Sequence, residues 1–148
     1  MPGNLNLQFI SFTVGGEEYC ADIIAIREIK GWSTTTELPN TPQYIRGVMN
    51  LRGSIVPIID LRARFGGRRT DPSDRHVVIV MAVDTRVVGI LVDAVADIIT
   101  ATADDIQPIP QLQADDRSGF LTGLVTVEGR MVALLDLDRV LDLEDAAA

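Results

Sequence analysis

Two aspartates close matching apolar runs, Asp60 in "SIVPIIDL" and Asp136 in "RMVALLDL". Paired carboxylates at equivalent strand ends can share one proton and so serve as an acid and a base in hydrolysis. The surrounding residues argue otherwise. Each Asp is followed by Leu-Arg or Leu-Asp, not by the Thr/Ser-Gly of a tight catalytic loop. A carboxylate at a strand end ordinarily caps the next turn or helix. His76 is the single histidine, so a Ser-His-Asp or Cys-His arrangement has one candidate base, and a solvated strand-start residue is its ordinary reading. Cys20 is the single cysteine, which excludes an intramolecular disulfide and a cysteine-based zinc site. Between Tyr19 and Ala21 it reads as a buried, inert thiol. No His-Glu or calcium-loop pattern is present, and the acidic stretches 103–105 and 114–118 read as solvated or capping loops. The expectation is no catalytic residue, no metal and no cofactor. A cation remains: Arg52, in the turn of "VMNLRGSIV", is either an ordinary solvated turn residue or a handle for another protein.

The chain that positions these groups has 148 residues, 47% hydrophobic and 5% aromatic, so its core is mostly Val, Ile, Leu and Ala. That suits one compact, β-rich domain. A net charge of −8 argues against a primary role on nucleic acid or an anionic membrane. The cluster Arg62, Arg64, Arg68, Arg69 and Arg75 has only Phe65 as a stacking aromatic, and a solvated linker face is the better reading. The N-terminus "MPGNLNLQF" lacks the pattern of a signal peptide, and the apolar runs are too short to span a bilayer, so a cytoplasmic location is expected.

A repeat organises the sequence. "YIRGVMNLRGSIVPIIDL" (44–61) lies over "FLTGLVTVEGRMVALLDL" (120–137) without a gap, pairing Gly47 with Gly123, Gly53 with Gly129 and Asp60 with Asp136. "LQFISFTVGGEEYCADIIAIREI" (7–29) lies over "HVVIVMAVDTRVVGILVDAVADI" (76–98). Both blocks keep their order, the mark of two copies of one structural unit. The units span about 7–65 and 76–145, joined by a polar linker at about 66–75, within a single domain over 1–148. Each reads as about five short strands, closed to hide their edges. "WSTTTEL" (32–38) alternates as an edge strand would, and Pro57 points to an edge or a bulge. Gly53 and Gly129 sit at hairpin turns where positive φ is cheap. The final "DLDRVLDLEDAAA" reads as a short helix with an Asp cap and Val140, Leu141 and Leu143 on one side. At the turn where the first unit has Arg52, the second has Glu128.

"NLRGSIVPIIDLR", preceded by "LPNTPQYIRGV" and "GGEEYCADIIAIREI", resembles CheW, the coupling-protein family of bacterial chemotaxis. "RVVGILVDAVADI", "IQPIP" and "FLTGLVTVEGRMVALLDL" fit in the same order, so the resemblance runs from about Leu7 to Leu143. It implies a mainly β fold of two pseudo-symmetric, intertwined five-stranded Src-homology-like β-barrels with short helices, including one at the C-terminus. It implies an adaptor without catalysis. Such an adaptor bridges the cytoplasmic tips of methyl-accepting chemoreceptors to the histidine kinase CheA, through the kinase's regulatory domain, in membrane-associated arrays that include CheW–CheA rings. By the resemblance, Gly47, Arg52 and Ile98 fall at receptor-binding positions. Ile26 and Glu28 fall at kinase-binding positions. A second kinase-facing surface is carried in many relatives by a basic and an aromatic residue, where this chain has Gln107 and Leu112. A related scaffold outside chemotaxis, serving surface motility or development, is the alternative.

Overall fold

The computed structural model describes residues 6–109 and 118–142. The chain enters through an antiparallel pair, β1 (Leu7–Val14) and β2 (Glu17–Asp22), followed by a 3-10 turn at Ile23–Ala25 and β3 (Ile26–Gly31). The hairpin β4 (Ile45–Leu51) and β5 (Ser54–Asp60) follows, then helix α1 (Leu61–Arg64). The same succession returns as β6 (Val77–Val83), β7 (Arg86–Val92) and β8 (Ala94–Ala101). A two-residue β9 (Ile106–Gln107), the hairpin β10 (Leu121–Val127) and β11 (Arg130–Leu135), and helix α2 (Leu137–Val140) complete it.

The strands form two sheets, in the orders β8-β1-β2-β11-β10-β9 and β3-β6-β7-β5-β4. Each sheet takes its β1/β2-type hairpin from one half of the chain and the rest from the other half, so the two sheets are intertwined. The repeat extends to register. Leu134 pairs in parallel with Cys20, and the aligned Ile58 pairs in parallel with Gly89. Bulges fall at aligned places, between Ile26 and Glu28 opposite β6 and between Val95 and Asp97 opposite β1. Both hairpins also skip one residue, Arg46 in β4 and Thr122 in β10. Such bulges bend a strand and let a short sheet curl.

Three apolar clusters follow from this exchange. Phe9, Cys20, Ile99, Val125 and Val132 pack within the six-stranded sheet, and Met49, Val56, Ile58, Val78 and Leu91 within the five-stranded one. The largest cluster, with Phe12, Ile59, Leu61, Ile79, Met81, Ile90 and Leu141, draws on both sheets and ties them together.

Two local expectations change. Residues 32–38 form one isolated bridge, Thr36 to Val48, and not an edge strand, because the chain turns away at Pro39-Asn40. This bridge takes the place that β9 holds beside β10, which is why one sheet has six strands and the other five. Pro57 lies in β5, an interior strand between β7 and β4, and so neither at an edge nor at a bulge, since it pairs in register with Val48 and the β4 bulge lies opposite Ile58 and Ile59. It is accommodated there because the ladder to β7 begins one residue later, at Ile58. Across from it, Val48 exchanges both backbone bonds with Thr36, at 2.8 and 2.9 Å. The C-terminal helix is the single turn α2; Leu143 lies outside the described residues.

Candidate functional site

The β4–β5 hairpin turns through Arg52 at φ +52° and Gly53 at φ +85°. The Asn50 side chain accepts the Gly53 N–H at 2.9 Å and fixes the turn. This geometry holds Arg52 out from the sheet. Its guanidinium donates to both carboxylate oxygens of Glu28, Nη1 to Oε1 at 2.6 Å and Nη2 to Oε2 at 3.4 Å. Glu28 reaches it from β3, on the opposite side of the sheet order from β4. The Arg52 side chain is 80% exposed and that of Glu28 27%, so one edge of the fork faces solvent. A planar, charge-assisted fork of this kind is directional but, when exposed, contributes little to stability.

The second hairpin repeats the backbone and changes the charge. Glu128 has φ +47° and Gly129 φ +80°. Here the cation sits two residues further on. Arg130 donates to Glu18 from Nε at 3.0 Å and from Nη2 at 3.3 Å, and lies 3.8 Å from Glu128. The hydrogen bond from Arg130 holds the Glu18 carboxyl below the usual range, and Glu18 in turn raises Arg130. Asp97 aligns with Glu28 and is exposed, yet it bonds locally and not to the turn cation: its N–H donates to the Ser11 hydroxyl at 3.1 Å and its carboxylate accepts the Ile98 N–H at 2.8 Å. One face thus displays a cation and the other an anion.

The remaining site residues are dispersed. Ile26 begins β3, half-buried against the shared core. Gly47, at φ +128°, is buried, and a Cβ there would overlap the Thr36 carbonyl; its observed role is to let that backbone pass. Ile98 lies on β8 of the other sheet and is 52% exposed. Gln107 is exposed on β9 of that sheet, and Leu112 lies outside the described residues. The structure therefore brings Arg52, Glu28 and the strand of Ile26 together, and leaves Ile98 and Gln107 apart from them. Exposed apolar partners were missed at Ile29, Ile55 and Met131. The repeat itself could have found them, since Ile29 aligns with Ile98 and Ile55 with Met131.

The two aspartates act as caps. Asp60 is fully buried and accepts from the Ala63 N–H, the Thr70 N–H at 2.6 Å and the Thr70 hydroxyl at 2.8 Å. Asp136 accepts the Arg139 N–H at the start of α2. Asp60 is thereby engaged through both oxygens in holding the turn and the linker, and Asp136 serves as the cap of α2. Cys20 is fully buried, and that burial, with the nearby Glu18 charge, pushes its thiol up to about 12. Arg64 lies over the Tyr44 and Phe120 rings and donates to the carbonyls of Arg139 and Asp142, so α1 caps the end of α2. Among the described residues, no helix is long and apolar enough to cross a membrane.

The family model for the CheW-like domain matches residues 8–145. The chemotaxis protein CheW of Rhizobium meliloti (strain 1021) is 47% identical over 141 residues, covering 95% of this chain and 91% of that protein. The chemotaxis protein CheW of Klebsiella aerogenes is 44% identical over 140 residues, covering 95% of this chain and 84% of that one. The crystal structure of the scaffolding protein TtCheW from Thermoanaerobacter tengcongensis superimposes with a TM-score of 0.82 at 30% identity, covering 89% of this chain and 90% of that one.

Proposed function

The chain belongs to the CheW-like family, and on that premise we propose that it is a non-catalytic adaptor that couples chemoreceptors to the histidine kinase CheA. The observation that carries this reading is the Arg52–Glu28 fork: a charged, oriented group on a rigid hairpin, with most of the arginine left in solvent. An adaptor needs such a preformed surface more than it needs a shifted titration. Arg52 contacts the receptor and Glu28 orients it while offering its own edge to the kinase. Ile26 supports Glu28 from the same strand. Gly47 contributes by shaping β4, and Ile98 by its exposed side chain. Gln107 belongs to a second kinase contact on the other sheet, with Leu112 as its sequence neighbour. The two repeat units, about 7–65 and 76–145, act as one domain offering two related faces. Unlike faces meeting end to end form heterologous contacts, which close into rings with the kinase's regulatory domain. The protein works in the cytoplasm and joins receptor arrays at the membrane through its partners.

The test is reconstitution: CheA autophosphorylation measured with receptor, with and without this protein. Receptor-dependent activation that requires the protein is the expected result. Equal activity in its absence rejects the reading.

A further inference from the structure

The repeat creates two equivalent seats at the ends of β5 and β11, and the linker crosses one of them. Thr70 donates its N–H and hydroxyl to Asp60, at 2.6 and 2.8 Å. Arg46 donates to the Thr70 carbonyl at 3.0 Å, and the Gly67 N–H donates to the Arg62 carbonyl at 3.0 Å. Three residues thus hold the linker: Asp60, Arg46 and Arg62. In the repeat they align with Asp136, Thr122 and Asp138. All three of those line an open cleft of about 370 Å³, whose opposite wall includes Asp22 and Ile24.

We propose that this cleft is a docking site for an extended segment of a partner protein that presents a Ser or Thr next to a basic residue. The Asp136 carboxylate accepts one backbone N–H, from Arg139 at 3.3 Å. A carboxylate has room for further donors, as Asp60 demonstrates with Thr70. The charge of the seat selects the neighbour. Where the linker rests over Arg46 and Arg62, the cleft offers Thr122 and Asp138, with Asp22 opposite. Asp138 is tied to Arg86 at 2.8 Å, so Asp22 and Asp136 set the sign. Ile24, 86% exposed at the rim, adds an apolar contact. This chain's own tail is disfavoured as the occupant: Ala146 aligns with Thr70 and has no hydroxyl to give Asp136, and Glu144 and Asp145 would add two carboxylates to an acidic seat.

The probe is a synthetic peptide with the sequence of linker residues 67–73, titrated into the full chain and followed by amide NMR and calorimetry. No receptor or kinase is present, so the result is independent of the coupling reading. The expected result is saturable binding that shifts Ala82, Thr122 and Asp136. A peptide with Val in place of its Thr should bind about tenfold more weakly. Asp136→Asn, which keeps a helix-capping acceptor, should weaken binding about tenfold. Thr122→Trp, at an exposed position, should abolish it by filling the cleft beside Asp136. No saturation at millimolar peptide overturns the proposal, as does binding that neither variant changes or that a scrambled peptide matches. A chain ending at Asp142 that binds the peptide when the full chain does not would assign the seat to this chain's own tail, and would also overturn it.

Discussion

The β4–β5 and β10–β11 turns have nearly the same backbone and opposite charge. Arg52 and Glu128 stand at φ +52° and +47°, and each precedes a glycine at φ +85° or +80°. A residue other than Gly, Asn or Asp at such a φ costs about 1–2 kcal/mol, so both turns retain a long charged side chain where Gly or Asn would be less strained. The backbone explains the glycines; it does not explain the charges. On the first hairpin the cation is held outward by Glu28, whereas on the second the cation, Arg130, is drawn to Glu18 and the turn residue is an anion. The difference separates what the repeat needs to fold from what each face presents to a partner.

The sharpest structural contrast lies between aligned glycines. At Gly47 an added Cβ meets both an unfavourable φ of +128° and the Thr36 carbonyl, whereas at Gly123 it meets the Gln107 carbonyl at 2.6 Å without a positive φ. Gly47→Ala should cost about 3 kcal/mol or more, and Gly123→Ala about 1–2 kcal/mol, read from denaturant melts. Equal losses would mean that the two bulges are interchangeable. Next come the caps. Asp60→Ala strands two donors of Thr70 and removes a cap, so about 3 kcal/mol should be lost. Asp136→Ala removes the cap alone and should cost about 1 kcal/mol.

The repeat was legible because its glycines and terminal aspartates serve the backbone, which leaves the same letters in both copies. Register, the paired bulges and the intertwined sheets extend it; the repeat and the strand patterns alone could not reveal the exchange of strands between sheets, which only the family resemblance implied. Alternation gives a strand's faces and not its neighbour, and so the 32–38 run and Pro57 were misplaced. The site was half legible. Arg52 and Glu28 stand out by motif, but their contact joins residues far apart in the chain. The seat over Asp60 depends on Thr70, an unremarkable linker residue whose role appears only once the linker is folded against β5.

A smaller contrast concerns Cys20 and its aligned partner Gly89. Cys20 is fully buried with its thiol pushed up to about 12, so thiolate is scarce at neutral pH. Labelling by a bulky thiol reagent should proceed only at the rate at which the protein opens. Fast labelling of the native state would contradict this. Gly89→Cys should destabilise by about 1–3 kcal/mol, because a Cβ there lies 2.5 Å from Ile58 Cδ1 and 2.8 Å from Val78 Cγ1.

The most direct test of the account compares Arg52→Ala and Arg52→Glu with the wild type, measuring thermal unfolding beside receptor-dependent kinase activation. Both substitutions keep a side chain at the same φ, and Glu128 shows that such a turn accepts glutamate. Stability should change by no more than ~1 kcal/mol, the value of an exposed pair. Receptor coupling should weaken by roughly 30-fold in affinity for Arg52→Ala, as for truncation of an interface arginine worth ~2 kcal/mol, and further for Arg52→Glu. A large loss of stability with unchanged coupling would instead make Arg52 a structural residue and remove the fork from the interface.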